Sequence, residues 1–326
     1  VTAKRPWLLP LVPGYWAAVS VKNLLFDWGW LRASRLARPV ISVGSVSAGG
    51  AGKTPVVMML AKLLETHGVR VDVLSRGYGR SSNTVEPVPF DSLASPEEFG
   101  DEPVEMMRSG LHVFVGAVRY EAGLLAERSY DAAVHLLDDG FQHRRLARQL
   151  EIVLFTLEDA EDSLLPAGNR REPFASLRRA DVVILREEES DALRALLSAW
   201  SKAEVWVIRR ELVFQEEIAH PFAFCGIARP GGFLKMLRDA GREPVGSLIF
   251  PDHHPYTDAD GERIVESAKV SQADGFYITE KDAVKLSREF LQHLQTVGPV
   301  HAPSLQVSLV DSQRAMERML AVMHGA

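Results

Sequence analysis

Apolar positions recur along this chain in two rhythms that take turns. Short apolar runs, many of them β-branched, cover 40–43, 69–74, 111–115, 131–138, 151–156, 181–185 and 204–208. Between them apolar residues return at helical spacing: Val56, Val57, Leu60, Leu63 and Leu64 first, then stretches at 117–128 and 191–200. The runs read as buried strands and the spaced stretches as amphipathic helices. Strand and helix in alternation predict a parallel sheet covered by helices on both faces. A polar stretch at 81–99 interrupts the alternation, with one short strand near 85–88. A helix then opens at Gly100-Asp-Glu-Pro103 and runs through Met107; proline is tolerated in a first turn. Near 209–221 the character changes and a second α/β set begins. It predicts strands at 222–225, 244–250 and 275–278, helices at 232–240, 258–270 and 281–290, and a closing helix from Asp311.

The first 38 residues follow neither rhythm. They hold four of the six tryptophans (Trp7, Trp16, Trp28, Trp30) and six basic residues against one acid, so the segment is +5 where the whole chain is −6. A helix from Gly14 to Leu31 would carry a narrow polar strip, Ser20, Asn23 and Asp27, beside a wide apolar face. The uncharged stretch from Trp7 to Val21 is too short to span a bilayer and is broken by Pro10 and Pro13. No small-residue cleavage site follows it, so it does not read as a signal peptide. Tryptophans, apolar bulk and basic flanks describe a helix in a membrane interface, held by anionic lipid. The alternative is a helix packed on the core.

Charge and cysteine content narrow the field. The net charge of −6 gives no case for nucleic-acid binding, and with Cys225 as the only cysteine no intrachain disulfide can form. At 326 residues the chain has room for about two domains. The expected boundaries are 1–35 for the interfacial helix, 36–215 for the first α/β domain and 216–326 for a smaller second one.

The chemistry begins after the first strand. Ser47-Ala-Gly-Gly-Ala-Gly-Lys-Thr54 is a glycine-rich turn between that strand and a helix, the layout of a phosphate-binding P-loop. Ser47, Ala48, Gly49, Gly50, Ala51 and Gly52 would wrap backbone N–H groups around phosphate oxygens. Lys53 would reach the β/γ-phosphates of ATP, and Thr54 would ligate Mg²⁺. The usual spacing places glycine where Ser47 stands; here glycines fall at 49 and 50 instead. Leu136-Leu-Asp-Asp139 reads as the Walker B strand that brings an acid to the same metal. A GTPase would need Asn-Lys-x-Asp, and the chain offers only Thr279-Glu-Lys-Asp282. Asp101, at a helix start, reads by position as an N-cap. His253 and His254 sit in a loop without the further ligands that a zinc site needs. Arg76, Arg80, Arg119, Arg144, Arg145, Arg170 and Arg171 all fall at strand ends or helix starts. One edge rich in arginine suits a ligand with several phosphates. The fold expected is therefore α/β: a P-loop NTPase-like parallel sheet sandwiched by helices, a second smaller α/β domain, and the N-terminal interfacial helix.

Taken in order, Gly49-Gly-Ala-Gly-Lys-Thr-Pro55, Ser75-Arg-Gly-Tyr-Gly79, Gly100-Asp-Glu-Pro103, Asp138-Asp-Gly-Phe-Gln-His-Arg144, Pro166-Ala-Gly-Asn-Arg-Arg-Glu-Pro173, Phe250-Pro-Asp-His-His254 and Thr279-Glu-Lys-Asp282 resemble the tetraacyldisaccharide 4'-kinase family, the lipid A 4'-kinases. The likeness runs to about residue 290, and the family too lacks glycine at the position of Ser47. The resemblance implies transfer of the ATP γ-phosphate to the 4'-hydroxyl of a lipid A disaccharide 1-phosphate. It also implies a peripheral enzyme on the cytoplasmic face of the inner membrane, with no nucleic-acid partner. It makes Asp101 a base acting with a histidine of the Phe-Pro-Asp-His loop, here His253. It puts Mg²⁺ at Thr54, Asp138 and Asp139, and the acceptor among Arg76, Tyr78, Arg119, Gln142, His143, Asn169 and Arg171. Two other readings stay open: a membrane-docked P-loop nucleotide switch, and a kinase of another lipid-linked sugar.

Overall fold

In the computed structural model, residues 4–90, 94–252 and 254–324 are described. The chain divides into two compact units, 1–209 with 307–326, and 210–306.

The first unit is built on a nine-stranded sheet. Its first eight strands in chain order are β1 (Val40–Ser45), β2 (Val71–Ser75), β3 (Glu86–Pro87), β4 (His112–Val115), β5 (Val134–Asp138), β6 (Leu150–Leu154), β7 (Val182–Arg186) and β8 (Glu204–Val213). The second unit holds a four-stranded sheet of β9 (Pro221–Cys225), β10 (Gly246–Ile249), β11 (Gly275–Tyr277) and β12 (Val300–His301), and β13 (Ser304–Leu309) returns to the large sheet. The spatial orders are β13-β8-β7-β6-β1-β5-β2-β4-β3 and β10-β9-β11-β12. Strand β1 lies between β5 and β6, parallel to both, with Val43 opposite Asp138. Every residue of β1, β2, β5, β6 and β7 is buried, as two covered faces require.

The helices are α1 (Val12–Asp27), α2 (Lys53–Thr66), α3 (Pro96–Phe99), α4 (Asp101–Arg108), α5 (Arg119–Ser129), α6 (Leu157–Glu161), α7 (Ser190–Ser198), α8 (Pro230–Asp239), α9 (Asp258–Val270), α10 (Glu280–Ala283), α11 (Arg288–Leu294) and α12 (Ser312–His324). On one face of the large sheet Ile41, Val73 and Leu136 pack with Val57 and Leu60 of α2 and Met316 of α12. On the other, Val40, Leu74 and Leu137 pack with Ala122 and Ala126 of α5. A buried polar pair crosses the sheet at its middle: His135 Nδ1 lies 2.7 Å from Asp72 Oδ1, and His135 Nε2 lies 3.6 Å from Glu127 Oε1. Burial disfavours the imidazolium, but these two carboxylates outweigh it and raise the His135 pKa.

Several expected boundaries move. The last twenty residues, 307–326, belong to the first unit and not to the second; the apolar face of α12 completes the cover over α2, with Ala315, Met316 and Met319 buried. The N-terminal helix begins at Val12 and stops at Asp27 rather than reaching Leu31, because Gly29 takes a left-handed φ of 75° just past its end. The single helix expected over 281–290 is two short ones, α10 and α11. Ser287 breaks the run by capping the second helix, its side chain accepting from Phe290 N at 3.1 Å.

Candidate active site

The site is assembled at the end of β1. Gly49, Gly50 and Gly52 have φ of 71°, 66° and 91°, a region where an L side chain would be strained. Ser47 needs no such freedom. It is buried and faces Arg170 across an isolated antiparallel bridge, whose hydrogen bonds are carried by its neighbours Val46 and Ala48. The turn is laced to the 165–173 loop: Ala48 N donates to Asn169 O at 2.8 Å, and Arg171 N and Glu172 N both donate to Val46 O, at 2.7 and 3.2 Å. Lys53 opens α2 with its side chain almost fully buried. Its Nζ lies 3.4 Å from Asp139 Oδ1 and 3.4 Å from Ser45 Oγ.

The two aspartates differ sharply. Asp138 is the last residue of β5; its Oδ2 accepts from Ser75 Oγ at 3.1 Å. Its Oδ1 is buried and has no hydrogen-bond partner among the described residues. Burial, then the Glu102 and Asp139 carboxylates, push the Asp138 carboxyl up to about 7, against Lys53 and the Ser75 hydroxyl. Asp139 follows with a φ of 50° and turns the other way. Arg171 grips it in a fork, Nη1 to Oδ2 at 2.9 Å and Nη2 to Oδ1 at 2.6 Å. Burial would raise the Asp139 pKa, but Lys53 and Arg171 override it and hold the carboxylate well below its usual range.

Other expected residues fall into three groups. Arg119 and Gln142 belong to this cluster. The buried Arg119 guanidinium feels Asp139, Asp138 and Arg76, and burial brings its pKa down to about 10. Gln142 Nε2 donates to Ser45 O at 2.9 Å, and its buried Oε1 has no partner among the described residues. His143, pushed down to about 4 by burial and by Arg119 and Arg148, is held neutral. Arg76 and Tyr78 are exposed on the loop after β2. The arginine edge is thus smaller than the sequence implies. Arg80 ties to Glu86, Arg144 to Asp27, and Arg170 lies over the Phe174 ring.

Asp101 is the first residue of α4, and the cap position belongs to Gly100, with no side-chain cap. The N-cap reading of Asp101 therefore fails. Its neighbour Glu102 acts on Asp138, which places the start of α4 at the same edge. His253 lies outside the described residues. His254 is engaged locally: Nε2 sits 3.0 Å from Asp260 Oδ2 in the first turn of α9, and the ring stacks on Phe250 at 4.8 Å.

Sequence reasoning missed how the N-terminal segment meets this site. Tyr15 OH donates to Arg171 O at 3.0 Å, Lys22 Nζ to Gln142 O at 3.2 Å, and Arg5 Nη2 to Asn169 Oδ1 at 3.1 Å. The only signal was the polar strip of α1. It faces the protein: Asn23 is buried there, and Asp27 is ion-paired with Arg144 and Arg178.

Glycine-rich turn, buried lysine at a helix start and paired aspartates at a neighbouring strand end define a P-loop phosphotransfer unit. Comparison with known proteins gives the family. Residues 4–324 match the profile of LpxK, tetraacyldisaccharide-1-P 4'-kinase. The tetraacyldisaccharide 4'-kinase of Koribacter versatilis is 40% identical over 324 residues, covering 96% of this chain and 98% of that protein. That of Aquifex aeolicus is 37% identical over 297 residues, covering 86% and 90%. The crystal structure of LpxK from Aquifex aeolicus in complex with ATP aligns with a TM-score of 0.77 and 34% identity, over 98% of this chain and 99% of that one. The chain belongs to the tetraacyldisaccharide-1-P 4'-kinase family.

Proposed function

We propose that this protein transfers the γ-phosphate of ATP to the 4'-hydroxyl of a tetraacylated glucosamine disaccharide 1-phosphate, the acceptor in lipid A biosynthesis. The observation that carries the reading is the interlocked set of Lys53, Asp139 and Arg171 at the end of the P-loop strand, in a chain whose family is that of the kinase. Phosphoryl transfer asks mainly for positioning and charge stabilisation. Asp139 holds two cations, Lys53 and Arg171, in fixed places beside the turn. Backbone N–H groups of the turn from Gly49 to Thr54 cradle the phosphates. Arg76, Arg119 and Arg171 add positive charge for the acceptor's 1-phosphate, and Tyr78, Gln142, His143 and Asn169 complete the acceptor set.

The residues fit a divalent cation. Asp138 keeps one buried carboxylate oxygen without a partner among the described residues, and a buried carboxylate oxygen is costly to leave unmatched. Thr54 and Asp138 would hold Mg²⁺, with Asp139 in support; bound there, it neutralises charge on the transferring phosphoryl group. Asp101 is assigned as the base that takes the proton of the 4'-hydroxyl, in concert with His253.

Membrane contact supports the substrate class. The polar strip of α1 faces the protein; Val21 and Leu24 of the helix and Trp28 beyond it lie off that strip and are exposed, and Trp16, two turns before Asn23, is half exposed. No helix among the described residues is long and apolar enough to cross a membrane. The reading is peripheral attachment at the cytoplasmic face of the inner membrane, through an anionic surface.

The test is direct. Purified protein, radiolabelled ATP, Mg²⁺ and the disaccharide 1-phosphate lipid should give a labelled lipid on chromatography. Lys53→Ala should not. ATP turnover with no labelled lipid would favour the nucleotide-switch reading.

A further inference from the structure

Helix α1 buries one residue, and that residue is polar. Asn23 is 6% exposed. Its Nδ2 donates to Glu172 Oε2 at 2.9 Å and reaches Ser176 Oγ at 3.4 Å. Arg144 Nη1 donates to the Asn23 backbone carbonyl at 2.9 Å and reaches its Oδ1 at 3.4 Å. Glu172 is itself buried, takes a hydrogen bond from Ser176 Oγ at 2.8 Å and pairs with Arg179 at 3.3 Å. A helix seated through a buried hydrogen bond has a preferred register, because a slip or rotation pulls the Asn23 amide off Glu172 and leaves that buried amide without its carboxylate acceptor. An apolar seam would tolerate sliding.

What that register controls is on the same loop. Glu172 follows Arg171, whose guanidinium forks onto Asp139 and whose N–H is tied to Val46. The carbonyls of Arg171 and Gln142 take the two α1 contacts from Tyr15 and Lys22. Arg171 and Gln142 are both in the acceptor set. The helix that faces the lipid surface and the residues that receive the lipid headgroup are therefore parts of one hydrogen-bonded frame.

We propose that Asn23 is a positioning residue for the acceptor: docked on Glu172, it sets the register of α1 so that a headgroup presented at the membrane meets Arg171 and Gln142. This rests on the lipid-kinase reading above. It assigns to α1 a task other than attachment. Apolar side chains bind the surface, and Asn23 aligns the active site to it.

The experiment uses full-length enzyme and anionic vesicles carrying the disaccharide 1-phosphate acceptor. Asn23→Leu should raise the KM for lipid at least about tenfold, while the KM for ATP and the vesicle-bound fraction in flotation stay within about threefold. Asn23→Asp should be as bad, because it sets a carboxylate against Glu172. Pairing Asn23→Asp with Glu172→Gln reverses donor and acceptor and should restore most of the lipid KM. If Asn23→Leu does not fold, Asn23→Ser removes the same contact with little steric change. An unchanged lipid KM would overturn the proposal. So would a fall in melting temperature with equal losses toward ATP and lipid, which is what a merely structural contact gives. Wild-type enzyme that floats with vesicles but leaves the lipid unphosphorylated would overturn the kinase reading instead, and this proposal with it.

Discussion

Consider stripping the outward face of the N-terminal segment by replacing Trp16, Val21, Leu24 and Trp28 with serine. These side chains are 51%, 55%, 38% and 66% exposed. Full burial of such a side chain is worth roughly 1.5–3 kcal/mol, so about half of that surface gives about 0.75–1.5 kcal/mol each. Four losses sum to about 3–6 kcal/mol, or a fall in membrane partition of about 10²- to 10⁴-fold at 1.4 kcal/mol per decade. Leu25 is left alone because it is more covered by the protein than these four. The melting temperature should fall far less than membrane binding, since none of the four is a buried core side chain. The assay is flotation with anionic vesicles, read beside the KM for lipid and the KM for ATP. Protein should leave the vesicle fraction, the lipid KM should rise and the ATP KM should not. Unchanged flotation would refute the outward-face reasoning and leave α1 as a core helix.

Three more outcomes are expected. Asp138→Asn should raise the Mg²⁺ concentration needed for half-maximal rate, whereas Asp139→Asn should lower kcat at saturating Mg²⁺ by releasing Lys53 and Arg171; matching Mg²⁺ titrations for both variants would erase the distinction between them. Asp101→Ala and His253→Ala should each lower kcat at least about tenfold with ATP affinity kept, and together far less than multiplicatively, in single-turnover measurements; fully multiplicative losses would separate the pair. His135 has a folded pKa raised above 6.5, so its contribution to stability is complete below about pH 6.5 and is lost as pH rises through the higher folded value. Urea melts from pH 6 to 9 should show that decline in wild type and a flatter profile in His135→Phe.

Much of the catalytic unit could be read from local pattern. Buried parallel strands are long apolar runs, and a P-loop is contiguous, so β1, its turn and α2 were legible as one motif. Asp138 and Asp139 were legible as a pair, but not as opposites. Their difference comes from Arg171, 32 residues away, and from Ser75 on another strand. Ser47 looked like a departure from the motif, and only the fold shows it facing Arg170 across an antiparallel bridge. The arginine edge was overcounted because sequence does not say which guanidinium is spent on a local carboxylate or ring. The polar strip of α1 was visible, yet only the fold shows it turned inward onto Glu172. The return of 307–326 to the first unit was hidden for a similar reason: a terminal amphipathic helix carries no label for the surface that it covers.

The most direct measurement is the position of the new phosphate. Wild-type protein, ATP, Mg²⁺ and the tetraacylated disaccharide 1-phosphate are incubated together, and the lipid product is isolated and analysed by phosphorus–proton correlation NMR. The expected product carries one new phosphomonoester, on the 4' carbon, beside the retained 1-phosphate. Phosphate at another carbon, or ATP consumed with the lipid unchanged, would contradict the proposed reaction.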